Sequence, residues 1–209
     1  MRIQETDSRR AAAFGERALG FADCGSAPAK GAYPAHVVGP WRAANGAMVH
    51  IRPIAQDDGR LIRDFVRALS FEARYFRFMS AVKELSARTV AQLARIDHRR
   101  NAALVAVASE ADADRIVGVA RYALDSNGES GEFAIVVADD WRRRGLGRRL
   151  TTLVIDTAVA RGLKRIVGDV LSINTPMLAF VTALGFDAVA SKVDPILRRV
   201  ERRLDGKGM

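Results

Sequence analysis

Cysteine is nearly absent from this 209-residue sequence. Cys24 is the only one, which rules out a disulfide framework within the chain and fits a reducing cytosol. Long apolar runs are missing too: no stretch approaches the roughly 18 uncharged apolar residues of a membrane span. The N-terminal MRIQETDSRRAAAFGERALGF mixes acids and arginines where a signal peptide would be apolar. Six prolines and 17 glycines are too few for a low-complexity chain, and no internal repeat is found. The three histidines, His36, His50 and His98, are scattered, and no His/Cys/Asp cluster has metal-ligand spacing, so no metal is expected. These absences describe a soluble protein, expected in the cytoplasm and not in a membrane.

What is present is a large apolar fraction, 49%, enough for one domain with a real core. The formal net charge is +9, from 33 Lys+Arg against 24 Asp+Glu. A basic balance is compatible with nucleic acid, a membrane surface or small anions. Here the charge is local: Arg142 to Arg149 holds five arginines and no acid, which points first to a compact anion such as a phosphate. No specific nucleic-acid binding is expected.

Residues 1–45 are Ala/Gly-rich and aperiodic and are read as an N-terminal extension, with the domain at 46–209. VHIRPI reads as a strand that stops at a proline. Asp57 is expected to cap a helix that turns Leu61, Ile62, Phe65, Val66 and Leu69 inward, and Ser86 a second one with Val90, Leu93 and Ile96 inward. Between them Phe71, Tyr75, Phe76 and Phe78 are read mainly as core, while Arg74 and Arg77 fit either an acceptor groove or a solvated surface. Three strands follow, at 103–109, 115–124 and 132–138, as an antiparallel meander. A helix from Leu146 to Ala160, closing at Gly162, leads to the strand RIVGDVLS. That strand should therefore lie parallel to 132–138. A helix with an early Pro176 and one or two more strands complete a mixed α/β fold: a mostly antiparallel central sheet with flanking helices.

The segment Arg142-Arg143-Arg144-Gly145-Leu146-Gly147 lies between a strand and a helix. There, free N–H groups and the positive helix end converge on one point suited to a pyrophosphate. The dinucleotide fingerprint would need a third glycine where Leu150 stands, and a Walker loop would need Gly-Lys-Ser/Thr. Arg/Gln-x-x-Gly-x-Gly/Ala is met in full.

That pattern resembles the signature of the GNAT superfamily of acetyl-CoA-dependent N-acyltransferases. The likeness spans about residues 48 to 204. It rests on IVVADDWRRRGLGRRL and, about 30 residues on, VLSINTPMLAFVTALGF. More narrowly, LSFEARYFRFMS, RIVGVARY and GEFAIVVADDW are similar to the acetyltransferase domain of bacterial Pat-type protein lysine acetyltransferases. The resemblance implies an enzyme that transfers acetyl from acetyl-CoA to an amine, most directly a protein lysine. It implies that Ile135 and Val137 offer backbone groups to the pantetheine amides, with the acetyl carbonyl where the strands splay after Val137. Arg142, Arg143, Arg144, Gly145, Leu146, Gly147 and Arg148 would wrap the pyrophosphate, and Asn174 would bond the pantetheine arm, or simply cap its helix. Glu132 would be the base that takes the amine proton. Where many members have a tyrosine as acid to the leaving thiolate, this chain has Val181. An acetyltransferase for a small amine and a non-catalytic acyl-CoA-binding module remain as alternatives, and a homodimer is compatible with the reading. Cys24 is read as a bystander thiol and His98 as a turn residue.

Overall fold

The computed structural model describes residues 33–110, 113–192 and 194–204. Cys24 and residues 1–32 of the expected extension lie outside them. Eight strands form one sheet in the order β1-β2-β3-β4-β5-β6-β8-β7. They are β1 (Gly39–Arg42), β2 (Met48–Pro53), β3 (Ala102–Glu110), β4 (Ala113–Leu124), β5 (Ser130–Val137), β6 (Arg165–Leu171), β7 (Asp187–Ala190) and β8 (Leu197–Arg203). Every neighbouring pair is antiparallel except β5 and β6, which are joined by a helical crossover and run parallel. Five α-helices accompany them: α1 (Gly59–Ala68), α2 (Phe71–Phe78), α3 (Ala87–Ala94), α4 (Leu146–Ala160) and α5 (Thr175–Thr182). None is long and apolar enough to cross a membrane. The mixed, mostly antiparallel sheet expected from the sequence is the observed fold.

The sheet carries helices on both faces, so its central strand β3 is buried from Ala102 to Ala108 and reads as a continuous apolar run. α4 lies on one face. Its Leu146, Leu150, Leu153, Val154 and Ala158 recur at helical spacing and are all buried. A Cβ added to Gly118 of β4 would come within 2.8 Å of Leu150, so this glycine lets α4 sit close on the sheet. Gly162, at φ +75°, ends the helix as expected.

Three details differ from the sequence-based expectation. β1 precedes residue 46 and pairs with β2, and Val37 and Ala43 are buried in the core. A four-residue edge strand beginning Gly-Pro has no period to read, and an edge is where proline is tolerated. The residue before α1 is Asp58, not Asp57, and it makes no cap to the helix. Its carboxylate instead receives both terminal nitrogens of Arg52, at 2.7 and 2.6 Å, and the Ala55 N–H at 2.7 Å. The aromatics of α2 are core only in part: Ala73 is its buried residue, Phe78 is half-buried against the core, and Phe71 is 64% exposed.

Behind the sheet, Arg161 ties the end of α4 to the strands. It donates to the carbonyls of Asn101 (2.8 Å) and His98 (2.7 Å) and to the Tyr122 hydroxyl (2.9 Å), with its guanidinium over the Tyr33 and Tyr122 rings. The Tyr33 hydroxyl bonds His98 Nδ1 at 2.8 Å and receives the Ala103 N–H. Burial pushes that hydroxyl up to about 12. His98 does lie in a turn, where it is buried while Arg99 and Arg100 beside it are exposed.

Burial raises the Asp58 carboxyl, but the hydrogen bonds from Arg52 and Ala55 outweigh it and hold the group below its usual range. Its contribution is therefore present above the unfolded value of about 3.9 and is lost as pH falls through the lower folded value. Asp58→Ala should destabilise by roughly 3 kcal/mol, since it strands a half-buried guanidinium. Denaturant melts across pH 2–7 should show a smaller loss of stability toward acid in the variant than in the parent.

Candidate functional site

β5 pairs with β4 along its whole length, from Gly131 to Val137, but with β6 only at Ser130, Gly131 and Glu132. The splay therefore opens after Glu132, five residues before the expected point. Phe133 explains it. Its ring stands against Gly168 of β6, where a Cβ would approach it to 3.0 Å, and beside the Phe186 ring with centroids 5.0 Å apart. β6 turns instead to β8, with which it pairs from Arg165 to Leu171.

The backbone polarity of the opened edge follows from the register. The Ser130 carbonyl accepts from Asp125 and the Ala138 N–H donates to Val117, both toward β4. Even-numbered residues of β5 thus direct their backbone groups to β4, and Phe133, Ile135 and Val137 direct theirs into the gap. Side chains alternate across the sheet. Glu132, Ala134 and Val136 pair with Ala123, Arg121 and Val119, and stand on the α2 face. Ile135 and Val137 stand on the α4 face, where Val137 meets Gly147.

A cleft of about 750 Å³ runs through this gap, and both faces contribute to it. At one end lies the arginine loop. Gly145 holds φ +87° as the N-cap of α4 and has no side chain to cap it. The first intrahelical bond from this turn is Arg149 N–H to the Gly145 carbonyl, so the N–H groups of Leu146, Gly147 and Arg148 have no acceptor within the helix. Arg142, Arg143 and Arg148 line the cleft beside them. Arg143 is held at φ +58°, an unusual conformation for a residue with a side chain. Such a concentration of donors and charge suits a pyrophosphate.

The structure does not bring every expected residue there. The Arg144 guanidinium lies over the Trp141 ring at 5.0 Å, and its carbonyl accepts from Ala44. The Leu146 side chain is fully buried under α4, leaving only its backbone near the loop. Asn174 lines the cleft and also caps α5, accepting from Met177 N–H at 3.2 Å. Val181 is buried in the core and takes no part in the lining.

The other end of the cleft is bounded by α2. Glu72, Phe76 and Arg77 line it, whereas Arg74 folds back onto the carbonyls of Arg67 and Leu69. Burial pushes the Arg77 guanidinium down to about 10, against the opposing pull of Glu132. Arg121, beneath, is likewise lowered to about 10 by burial and then by the charge of Arg77. Asp169, which also lines the cleft, is paired with Arg199 at 2.9 Å. Glu72 and Phe76 lie in the segment LSFEARYFRFMS, but no site role is read for them there, and Asp169 carries no motif. Only the sheet register and the packing of α2 bring them to the gap.

Comparison with known proteins agrees with this geometry. A family model described as Acetyltransferase (GNAT) family matches residues 65–186. An acetyltransferase of Pseudomonas aeruginosa is 34% identical over 142 residues, 68% of this chain and 76% of its own. The crystal structure of the GNAT domain of S. lividans PAT superposes with a TM-score of 0.73 at 25% identity, covering 82% of this chain and 99% of that one. An acetyltransferase from Thermus thermophilus shares the fold, with a TM-score of 0.58 at 22% identity over 75% of this chain and 97% of its own.

The loop geometry yields a binding test. A Cβ at Gly147 would have its nearest neighbours at 3.7 Å, ordinary contact, so aspartate fits there without refolding the loop. Its charge would enter the cleft between Phe180 and Val137, at the helix end whose N–H groups form the anion site. In calorimetry, CoA should bind the parent at micromolar levels, and Gly147→Asp should weaken it by roughly 10- to 100-fold, about 1.5–3 kcal/mol.

Proposed function

We propose, from the premise that this chain belongs to the acetyltransferase (GNAT) family, that its acceptor is the side-chain amine of a protein lysine. The family transfers acetyl groups from acetyl-CoA, so the questions left to this chain's residues are how they hold that cosubstrate and which amine they admit.

In this reading the pyrophosphate rests on the N–H groups of Leu146, Gly147 and Arg148, with Arg142, Arg143 and Arg148 around it. The pantetheine arm lies in the gap as if it were the missing part of β6. There, Ile135 and Val137 supply strand-like hydrogen bonds, and Asn174, whose Oδ1 caps α5, has its N–H₂ left to donate. The thioester then reaches the α2 face close to Glu132.

A lysine amine is mostly protonated at neutral pH, a deficit of roughly 3 pH units or about 4–5 kcal/mol. Glu132 takes that proton, directly or through one water. The neutral nitrogen attacks the acetyl carbonyl carbon, the N–C bond forms and the C–S bond breaks, and the nitrogen sheds its second proton to solvent as the amide forms. CoA leaves as the thiolate and takes a proton from solvent, because Val181 offers no acid.

The observation that favours a protein acceptor is the open shelf beside Glu132. Glu132 registers with Val167, and the same face continues over Asp169 of β6 and Arg199 of β8 to Val189 of β7, which is 60% exposed. An extended polypeptide fits such a shelf, whereas a small amine needs an enclosed pocket. The desolvated charge of Arg77 beside Glu132 also disfavours a polyamine, which would bring several positive charges to one place.

If Glu132 collects the proton, Glu132→Gln should retain the fold and CoA affinity while turnover drops by roughly 10²–10⁴ near neutral pH. Raising the pH toward the acceptor's own value should recover part of the rate. Mass spectrometry of lysate proteins after incubation with acetyl-CoA would supply the acceptor. Acetylation of small amines alone would redirect the assignment to them.

A further inference from the structure

One carboxylate joins the two ends of the cleft. Asp139 follows β5 and opens the short 3₁₀ turn Asp139–Trp141 that leads into the arginine loop. Its Oδ2 accepts the Ser70 N–H at 2.8 Å, and its Oδ1 accepts the Ser70 hydroxyl, also at 2.8 Å. The same Oδ1 lies 3.0 Å from a terminal nitrogen of Arg142. Ser70 is the N-cap of α2, its Oγ accepting from Ala73 N–H at 3.2 Å. α2 in turn carries Glu72, Phe76 and Arg77, the acceptor-side wall of the cleft.

Asp139 is thus bonded to the first residue of the acceptor wall, 69 positions away in sequence, and to the first arginine of the pyrophosphate loop. We infer that Asp139 is a positioning residue that couples cosubstrate binding at the loop to the placement of α2. The inference rests on the reading that CoA occupies the loop.

The physical basis is a competition for one guanidinium. A pyrophosphate presents a denser negative charge to Arg142 than a single carboxylate that already accepts two hydrogen bonds. As Arg142 turns to the phosphate, the Asp139 carboxylate is left to Ser70 alone, and the Ser70 hydroxyl bond strengthens because its acceptor, Oδ1, is no longer shared. The N-terminus of α2 is then held more firmly against the end of β5. By reciprocity, whatever fixes α2 favours release of Arg142 to the phosphate. The wall that receives the amine is completed once the acetyl donor is in place. A bound thioester is then met by an ordered acceptor site rather than by open solvent.

Hydrogen exchange with CoA as the probe tests this without an acceptor. In the parent, CoA should slow amide exchange in the loop, 142–148, and also in α2, by roughly fivefold or more at 74–78. Asp139→Ala should keep the slowing in the loop and lose it in α2. Asp139→Asn, whose amide oxygen can still accept from Ser70 N–H, should restore part of it. Ser70→Ala removes only the hydroxyl bond to Oδ1 and leaves the loop untouched, so it should weaken the α2 response without abolishing it. Exchange in β3 and β4 reports whether each variant is folded. Loop protection in the parent with an unresponsive α2 overturns the coupling and leaves the proposed function standing. An α2 response that persists in Asp139→Ala and is undiminished in Ser70→Ala overturns the role of Asp139. A parent in which CoA protects neither region overturns both readings.

Discussion

The pairing of β5 with β6 ends at Glu132 and Val167, and the site depends on that ending. Parallel neighbours in a covered sheet ordinarily satisfy one another's backbone groups along their length. Here Phe133, wedged against Gly168 and Phe186, parts them, and the odd-numbered backbone groups of β5 beyond it face a gap. Unmet strand groups next to an apolar wall are suited to an extended ligand carrying amides. The same parting gives a passage from one face of the sheet to the other. A ligand held at the loop on the α4 face can therefore extend to the α2 face.

α4 makes the loop possible because its stability comes from elsewhere. A helix beginning with an uncapped glycine gives up the usual N-terminal stabilisation. α4 offsets this with a fully buried apolar face seated on Gly118, and with Arg161 at its far end bonded to two carbonyls and the Tyr122 hydroxyl. The helix is fixed by its body and its C-terminus, and its N-terminal donors stay open. The strained φ of Arg143 belongs to the same arrangement, in which the loop is held by its surroundings rather than by its own conformational preference.

Charge is divided between the two ends. The loop gathers arginines, of which Arg142 is paired with Asp139, whereas the α2 end sets Arg77 near Glu132 and above Arg121 in a partly dry setting. Asp139 stands between the two ends and is bonded to both.

Much of this was legible in the sequence, for local reasons. The arginine-glycine loop is contiguous, α4 shows its period over four turns, and the meander is spelled by alternating apolar runs between short polar turns. Each is decided by near neighbours in the chain. Glu132, Ile135 and Val137 were placed on the right strand for the same reason. What tertiary structure alone decided is long-range. The point of splay depends on Phe133 meeting Gly168 and Phe186, residues 35 and 53 positions away. The outward turn of Phe71, which near-helical spacing read as core, follows from Ala73 being the residue of α2 that packs. β1 exists because β2 offers it an edge, not because Gly-Pro-Trp-Arg prefers to be a strand. Arg77 was undecided between groove and surface until the packing of α2 set it beside Glu132. Periodicity records which face of an element is apolar. It does not record which other element will meet that face, and the α2 end of this cleft is built from such meetings.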